Sequence, residues 1–242
     1  MAQLFDMHVH TTRGSSDSNL TPEEMVLEAE RLGFFGLCIT EHSGPWDRHE
    51  FQKFAREHSQ VLIRAMEVET DMGHILAFGL DSYVPGIADA GRLRKAVDEV
   101  GGFMISAHPF RGLHSRVSSY SQLLYKGSAS PPATLEEASQ HPVFGLVDAV
   151  EVANGGTAES ENRFAMGVAQ HLGLKVTGGS DAHSRHGLGR CITAFQGQIR
   201  TEEEFMNSLR SGAFYPSRLT ENNRDPNGSW VPVPQPFTLE GG

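Results

Sequence analysis

Cysteine, basic residues and long apolar segments are all scarce in this chain of 242 residues. The two cysteines, Cys38 and Cys191, lie in separate apolar segments and form no CxxC pair, which argues against a disulfide framework and favours a reducing, cytoplasmic compartment. The longest apolar segments, such as residues 34–39, are far shorter than the roughly 20 residues of a membrane-spanning helix. The opening segment MAQLFDMHVH also lacks the basic and apolar regions of a secretory signal. We therefore expect a cytoplasmic protein that does not enter a membrane.

Lysine and arginine together number 20 against 30 aspartates and glutamates, so the formal net charge is −10. This deficit of positive charge argues against a broad basic surface that neutralises successive phosphates, and long nucleic acid is therefore not the expected partner. Hydrophobic residues make up 38% and charged residues 21% of the chain, which is typical of a globular protein. The 12 histidines are the unusual component of the composition. Their role has to be inferred from their positions along the chain.

Short apolar segments alternate with segments of helical periodicity along most of the chain. We predict strands at residues 4–9, 36–40, 61–68, 74–79, 103–107, 147–153, 175–178 and 191–195, and helices at 22–32, 47–58, 88–100, 135–140, 159–172 and 202–209. This alternation indicates a parallel sheet covered by helices, either open or closed into a barrel. One predicted domain spans residues 1–218, with an excursion at 111–134 over the active face, and a Pro/Gly-rich tail occupies residues 219–242.

Polar and apolar side chains alternate along the first predicted strand. Asp6, His8 and His10 share one face, and the apolar residues between them share the other, because side chains alternate across a strand. Two imidazoles two residues apart can hold one metal ion, and the neighbouring carboxylate can orient one of them. Short motifs of this kind also occur by chance, so a pair of exposed strand histidines is the alternative.

Further residues of the ligand type lie at the ends of other predicted strands, mostly at the carboxyl ends. These residues are His42, Glu67, His74, His108, Asp181 and His183. Barrels and open α/β sheets place their functional sites at the carboxyl ends of their strands. Histidines scattered over a surface would not select strand ends repeatedly, so the set predicts one metal centre.

The chain resembles the PHP (polymerase and histidinol phosphatase) family of metal-dependent phosphoesterases from about residue 4 to residue 218. Seven separated segments occur in the family's order, namely DMHVHTT, SSDSNLTPEE, ITEHS, MEVE with GHILAFG, ISAHPFR, DAVEVANG and GGSDAH. The resemblance implies an α/β fold of the PHP type, a distorted (β/α)7 barrel in a single domain. It also implies two or three divalent transition-metal ions at the carboxyl ends of the strands. Zn, Mn and Fe all suit a mixture of imidazole and carboxylate ligands.

The resemblance assigns nine metal ligands to three groups. The first group is His8, His10, Glu67 and Asp181; the second is Glu67, as a bridge, with His74 and His108; the third is Asp17, His42 and His183. Among these, the expected catalytic residues are His8, His10, Glu67, Asp181 and His183.

Three points about these ligands stay open in the sequence. Glu69 has the same strand parity as Glu67 and is its alternative. Asp17 lies further along the chain from the HxH motif than in the family, so it is either a ligand or an ordinary loop carboxylate. Glu41 stands where the family usually has an aspartate, which would loosen a contact behind the ligands.

The implied reaction is hydrolysis of a small phosphorylated substrate, a phosphate monoester or a nucleotide. The nucleophile would be a metal-bound hydroxide, since a bound metal lowers the pKa of water to about 7. The candidates for binding the substrate phosphate are the arginines close to the ligand motifs, which are Arg111, Arg13, Arg185 and Arg190. Arg111 follows His108 and Pro109 directly, and its planar guanidinium can bind two phosphate oxygens.

Three other functions are weighed against this one. An exonuclease on short oligonucleotides would use the same centre. An amidohydrolase-type metal hydrolase also begins with HxH, but it often bridges its metals with a carboxylated lysine, and here only Lys175 touches a predicted strand, at its wrong end. A non-catalytic metal-binding module usually lacks some ligands, whereas all nine are present here. No feature of the sequence indicates an oligomeric state.

Overall fold

The computed structural model describes residues 2–113, 124–125, 131–220 and 230–234. The strands in these ranges are β1 (Gln3–Val9), β2 (Gly36–Glu41), β3 (Val61–Thr70), β4 (Gly73–Phe78), β5 (Phe103–Ser106), β6 (Ala149–Asn154), β7 (Lys175–Gly179), β8 (Cys191–Phe195), β9 (Phe214–Leu219) and β10 (Trp230–Pro232). All ten form one sheet in the order β10-β9-β8-β1-β2-β3-β4-β5-β6-β7.

The described sheet is mixed, with four parallel and five antiparallel pairs of neighbouring strands. Only Asp71 and Met72 separate β3 from β4, and a connection of two residues permits a hairpin but no parallel crossover. The sheet curls until the end of β1 meets the residues after β7, where the His10 N–H donates to the Ala182 carbonyl at 3.0 Å. The result is a curled half-barrel in a mixed α/β domain, which confirms the α/β class. The prediction of a parallel sheet is wrong, because antiparallel pairs outnumber parallel ones among the described strands. Seven β/α repeats are not observed within the described ranges.

Six α-helices connect the strands of the described part. They are α1 (Pro22–Leu32), α2 (Arg48–Arg56), α3 (Ala90–Glu99), α4 (Leu135–Ser139), α5 (Glu159–Leu172) and α6 (Glu202–Ser211), and each bound lies within two residues of its predicted position. Helix α1 begins at a reciprocal capping box, in which the Thr21 hydroxyl accepts the Glu24 N–H and the Glu24 carboxylate accepts the Thr21 N–H. None of the described helices has both the length and the apolar character that crossing a bilayer requires.

Strand β1 is buried on both faces. Its apolar residues Phe5 and Met7 belong to the hydrophobic core, while His8 and His10 on the opposite face are also fully buried. The alternative of an exposed histidine pair is therefore wrong, because the curled sheet covers the polar face of β1 as well.

Two strands lie outside the predicted elements. Strand β9 pairs with β8, and β10 pairs with β9 inside the predicted tail. Trp230 of β10 packs its ring against Phe34, with centroids 5.1 Å apart, and its indole N–H donates to the Gly189 carbonyl at 2.8 Å. The rest of the predicted tail and most of the predicted excursion, residues 114–123, 126–130, 221–229 and 235–242, lie outside the described residues. The domain boundary at residue 218 stays a prediction.

Candidate metal centre

The curl brings all nine predicted ligands to one place. Their ligand atoms form three overlapping groups, within each of which all atoms lie within 4.8 Å of one another; the groups are His8, His10, Glu67 and Asp181, then Glu67, His74 and His108, then His10, His42 and His183. The Asp17 carboxylate lies 3.5 Å from His42 Nε2 and 3.3 Å from His183 Nε2. We call the predicted groupings the first site (His8, His10, Glu67, Asp181), the second site (Glu67, His74, His108) and the third site (Asp17, His42, His183), and together the nine-residue centre.

The first site has the dimensions of a metal site. His8 Nε2 lies 3.4 Å from Glu67 Oε2 and 3.5 Å from Asp181 Oδ1, and His10 Nε2 lies 3.3 Å from each of the same two oxygens. Both ring nitrogens are buried and have no hydrogen-bond partner among the described residues. Tetrahedral ligands at 2.0–2.1 Å from one ion stand about 3.3–3.4 Å apart. Since a buried polar atom without a partner is costly, these four residues fit a divalent ion.

Glu67 presents its two oxygens to different sites. Oε1 faces the second site, where it lies 2.9 Å from His74 Nδ1 and 2.9 Å from His108 Nε2. Oε2 faces the first site and also lies 3.4 Å from His42 Nδ1. Glu69, the alternative, is exposed and belongs to none of the three groups. This orientation is the one that a bridging carboxylate requires.

The third site is more open than the other two. Asp17 is 58% exposed and His42 is 34% exposed, whereas the ligands of the first site are buried. His10 stacks on both His42 and His183, with ring centroids 4.3 Å apart in each case. The third site therefore lies at the mouth of the centre, with solvent on its outer side.

The charges of the first site stabilise one another. Burial would raise the pKa of Glu67 and of Asp181, but the neighbouring imidazoles, His8 foremost, hold the pKa of each carboxyl well below its usual range. Burial likewise opposes a charge on His8, yet the carboxylates of Glu151, Asp181 and Glu67 raise the pKa of His8 well above its usual range. The two carboxylates and the imidazole thus favour one another's charged forms.

Two ligands have a strained backbone. His108 and Asp181 have φ values of 29° and 53°, and within the described ranges they are the only non-glycine residues with positive φ. Such conformations cost about 1–3 kcal/mol each and persist where the surroundings enforce them. The His108 N–H donates to the Glu151 carboxylate at 2.9 Å, which helps to hold that backbone in place. The strain coincides with the centre and with no other part of the described chain.

Glu151 is a functional residue that the sequence analysis missed. It is fully buried on β6, and its carboxylate lies 3.0 Å from His8 Nδ1 and accepts the Asn154 amide at 2.9 Å. A carboxylate on the far nitrogen of a ligand histidine fixes the ring and its tautomer. Gly179 leaves room for this contact, because a β-carbon there would lie 2.6 Å from Glu151 Oε1. The sequence does carry one indication of this role, because Glu151 is the only charged residue in the otherwise apolar or neutral strand AVEVAN.

A second carboxylate supports His10 through a hydroxyl group. His10 Nδ1 lies 3.2 Å from Ser15 Oγ, which donates to Glu41 at 2.6 Å. The buried Glu41 also accepts hydrogen bonds from both the N–H and the hydroxyl of Thr11, and from the Trp46 indole at 2.9 Å. The expectation that Glu41 would loosen a contact is therefore wrong, because its longer side chain reaches four donors.

One of the four predicted phosphate-binding arginines contacts the centre. Arg111 Nη2 donates to Asp181 Oδ2 and, at 2.7 Å, to Asn154 Oδ1, and its Nε donates to Thr157 Oγ1 at 3.1 Å. The side chain is 27% exposed, so a ligand can still reach the guanidinium. Arg111 therefore stands at the edge of the first site with its orientation already set.

The other three arginines point elsewhere. Arg13 pairs with Glu50 and lies over the Trp46 ring, 5.3 Å from its centroid. Arg185 donates to Glu28 at 2.7 Å. Arg190 makes no side-chain hydrogen bond or ion pair with any described residue. None of the three contacts a ligand of the centre within the described ranges, so their predicted role there has no contact to support it.

The two cysteines are remote from the chemistry. Cys38 is fully buried in the core and Cys191 is 7% exposed. Burial raises the pKa of the Cys191 thiol to about 12 and that of Cys38 well above its usual range. Both are therefore neutral thiols near pH 7 and not nucleophiles.

Two family profiles match this chain. The profile described as PHP domain matches residues 6–150, and the profile described as PHP-associated matches residues 159–214. Error-prone DNA polymerases of Mycobacterium tuberculosis and Mycobacterium bovis are 34% identical to the chain over 74 residues, which is 31% of this chain. The match covers only 6% of each polymerase, so the chain corresponds to a small part of these curated relatives.

Several solved structures share the fold. A provisionally assigned metal-dependent phosphoesterase from Bifidobacterium adolescentis has a TM-score of 0.58 at 17% identity, over 88% of this chain and 97% of that one. A lesion-specific endonuclease from Pyrococcus furiosus has a TM-score of 0.57 at 18% identity, over 87% of this chain and 56% of that one. An amidohydrolase from Chromobacterium violaceum has a TM-score of 0.54 at 16% identity, over 85% and 96%. At these identities the similarity shows the fold and leaves the reaction open.

Proposed function

The chain belongs to the PHP domain family, and we propose that it is a metal-dependent phosphoesterase acting on a small phosphorylated substrate. The observation that carries this proposal is the sharing of Glu67, itself buried, between two adjoining ligand groups. Paired ions held by one carboxylate are typical of enzymes that transfer phosphoryl groups. The three sites together would hold two or three divalent ions, of which Zn, Mn and Fe suit the donor set.

Some residues of the centre would hold metal ions, and others orient the histidines that hold them. The first site and the second site would each hold one ion, and the more exposed third site would hold another. Bound ions supply a water of lowered pKa and neutralise charge on phosphate oxygens. Glu151, together with Ser15 and Glu41, orients His8 and His10 so that their Nε2 atoms face the first site. His8, His10, Glu67, Asp181 and His183 remain the proposed catalytic residues.

Arg111 is the proposed substrate-binding residue. Its guanidinium is held by Asn154 and Thr157 on one side and reaches Asp181 on the other. A planar guanidinium offers two parallel donors to a phosphate. Because its partners restrain the side chain in advance, little conformational entropy remains to be lost when a phosphate binds.

The arrangement does not favour an amidohydrolase that uses a carboxylated lysine. Lys175 is the first residue of β7 and its side chain packs beside Gly212, at the end of the strand opposite Asp181. Lys53 and Lys95 lie on helices α2 and α3, and Lys126 lies outside the described residues. Glu67 occupies the bridging position instead. An exonuclease on short oligonucleotides would use the same residues, and the substrate panel below separates it from a phosphatase.

The test is a panel of phosphate monoesters, nucleotides and short oligonucleotides, each supplied with Zn, Mn or Fe. We expect phosphate release from at least one small substrate. Glu67→Gln should lower kcat at least about a hundredfold, because loss of the bridge disturbs two ions. Glu69→Gln, a change of the same kind on an exposed neighbour, should leave kcat unchanged. Activity that survives Glu67→Gln but not Glu69→Gln would show that the ligand on β3 is misassigned by two residues.

A further inference from the structure

Two of the arginines that do not contact the nine-residue centre line one separate cavity. Arg185 and Arg190 line a cavity of about 520 Å³ together with Arg31, His186 and Glu28. Three leucines complete its lining. We call this cavity the arginine pocket. None of the nine ligands is among its lining residues.

The arginine pocket is positively charged in a negatively charged protein. Its three guanidinium groups face one carboxylate, which leaves an excess of two positive charges in a chain with a net charge of −10. The Glu28 side chain is only 7% exposed and accepts hydrogen bonds from both the Arg31 and the Arg185 guanidinium. It therefore holds two cations side by side. Within the described residues, the Arg190 side chain makes no hydrogen bond or ion pair, and it lines the same cavity as the other two guanidinium groups.

A second cavity lined by arginine has the opposite balance of charge. The cavity around Arg13, of about 300 Å³, contains Arg13 and Lys53 but also three glutamates. It therefore has an excess of one negative charge, and Arg13 is already paired with Glu50. Both cavities are lined by arginine on the same acidic protein, yet only the arginine pocket has more cations than carboxylates.

The arginine pocket adjoins the segments that form the nine-residue centre. Arg185 follows His183, a third-site residue, by two positions, and two residues of chain span at most about 7 Å. On the other wall, the β-carbon of Arg190 lies against Gly155, where an added β-carbon would be 2.9 Å away. Gly155 directly follows Asn154, which holds Arg111. The pocket is thus adjacent to the centre along both segments.

We propose that the arginine pocket is a phosphate-binding site separate from the nine-residue centre. Guanidinium groups bind phosphate oxygens in a bidentate manner with charge-assisted hydrogen bonds, and a paired carboxylate preorganises two of the three. The phosphate is either a second phosphate group of the substrate or a free phosphate ion. Only the first of these sources rests on the proposed function, so the site and the function can fail independently.

Calorimetric titration of the full chain with inorganic phosphate tests the site. Arg190→Gln should weaken binding at one class of site roughly tenfold, the scale expected for a lost charge-assisted hydrogen bond. The substitution removes no side-chain hydrogen bond or ion pair among the described residues, so the variant should keep its melting temperature. Arg13→Gln is the matched control and should leave phosphate affinity unchanged. Absence of phosphate binding outside the centre, or equal binding by Arg190→Gln and the parent protein, would overturn the proposal.

Kinetics then identify the source of the phosphate. If it belongs to the substrate, Arg190→Gln should raise KM for substrates with two phosphates and not for those with one. If it is a free ion, KM should be unchanged for both while the calorimetric site is lost. Should no substrate be hydrolysed at all, the calorimetric result still decides whether the site exists.

Discussion

Single side chains in the centre owe their positions to partners outside it. His8 is oriented directly by Glu151, and His10 is oriented by Ser15, which in turn donates to Glu41. A ligand histidine can turn about two side-chain bonds, so a hydrogen bond to its far nitrogen selects one ring orientation and one tautomer. The two histidines of one motif are thus positioned by carboxylates from two different strands, β2 and β6.

We expect Ser15→Ala to weaken metal binding without unfolding the protein. The change removes the partner of His10 Nδ1 and leaves one buried Glu41 oxygen with fewer donors. Loss of such outer contacts typically lowers metal affinity 10–100-fold. Competition titration with a chromophoric chelator measures the affinity, and Ser16→Ala, an exposed neighbour, is the control. Equal affinities in the two variants would mean that Ser15 does not position His10.

Arg111 separates substrate binding from metal binding. If it holds the phosphate in the ground state, Arg111→Ala should raise KM strongly with a smaller effect on kcat. If it acts in the transition state instead, kcat should fall as well. With metal supplied at saturation, metal content should stay the same in both cases, because all nine ligands remain. Arg200→Ala, an exposed arginine beside α6, is the control, and kinetics indistinguishable from that control would exclude Arg111 from the site.

The sequence could predict the ligands because strand parity and strand ends are local properties. His8 and His10 share a face on parity alone, and His42 and His108 directly follow apolar strands. Glu151 could not be assigned in this way, since its role depends on a contact with His8 across 143 residues of chain. The hydrogen bond from Arg185 to Glu28 likewise joins residues that are far apart in the sequence, so it could not be predicted from local pattern.

At the scale of elements, the strongly periodic strands and helices were predictable and the sheet's edge was not. Strand β9 has the sequence FYPSRL, in which a proline and a charged residue interrupt the apolar alternation. Strand β10 has three residues and lies among prolines and asparagines. Strand β9 pairs with the edge of β8, and β10 pairs with the edge of β9; these edges exist only once the sheet has assembled.

Trp230 should anchor this edge. We expect Trp230→Ala to lower the free energy of unfolding by about 2 kcal/mol, because a half-buried ring and its hydrogen bond to Gly189 are both lost. Trp230→Phe keeps an aromatic contact with Phe34 and should cost about half as much. Urea denaturation measures both values, with Val231→Ala, an exposed neighbour, as the control. If Trp230→Ala matches that control, β10 does not stabilise the sheet.

The curl is a property of the whole molecule. Antiparallel pairing on both sides of β4 and an antiparallel β8-β9-β10 edge interrupt the parallel pairing, so the sheet closes part of the way and not as seven equal units. Periodicity predicts which segments are strands, but it says nothing about which neighbour each strand selects. The closure nevertheless brings strand ends from both halves of the chain together, and buries their charges in one place.

Burying those charges links metal binding to protons. Nearby carboxylates raise the pKa of His8 well above its usual range despite its burial. This favours the protonated imidazole, which must lose its proton to bind a metal. We expect two to three ions per chain by elemental analysis.

Metal binding at the first site should also release about one proton. The metal affinity should therefore rise with pH, and the melting temperature should be higher with metal bound. Calorimetry in two buffers of different ionisation enthalpy counts the proton. Glu151→Gln should reduce its release, because Glu151 is the largest of the charges that raise this pKa. Less than one equivalent of metal, or binding that is independent of pH, would contradict the proposed centre.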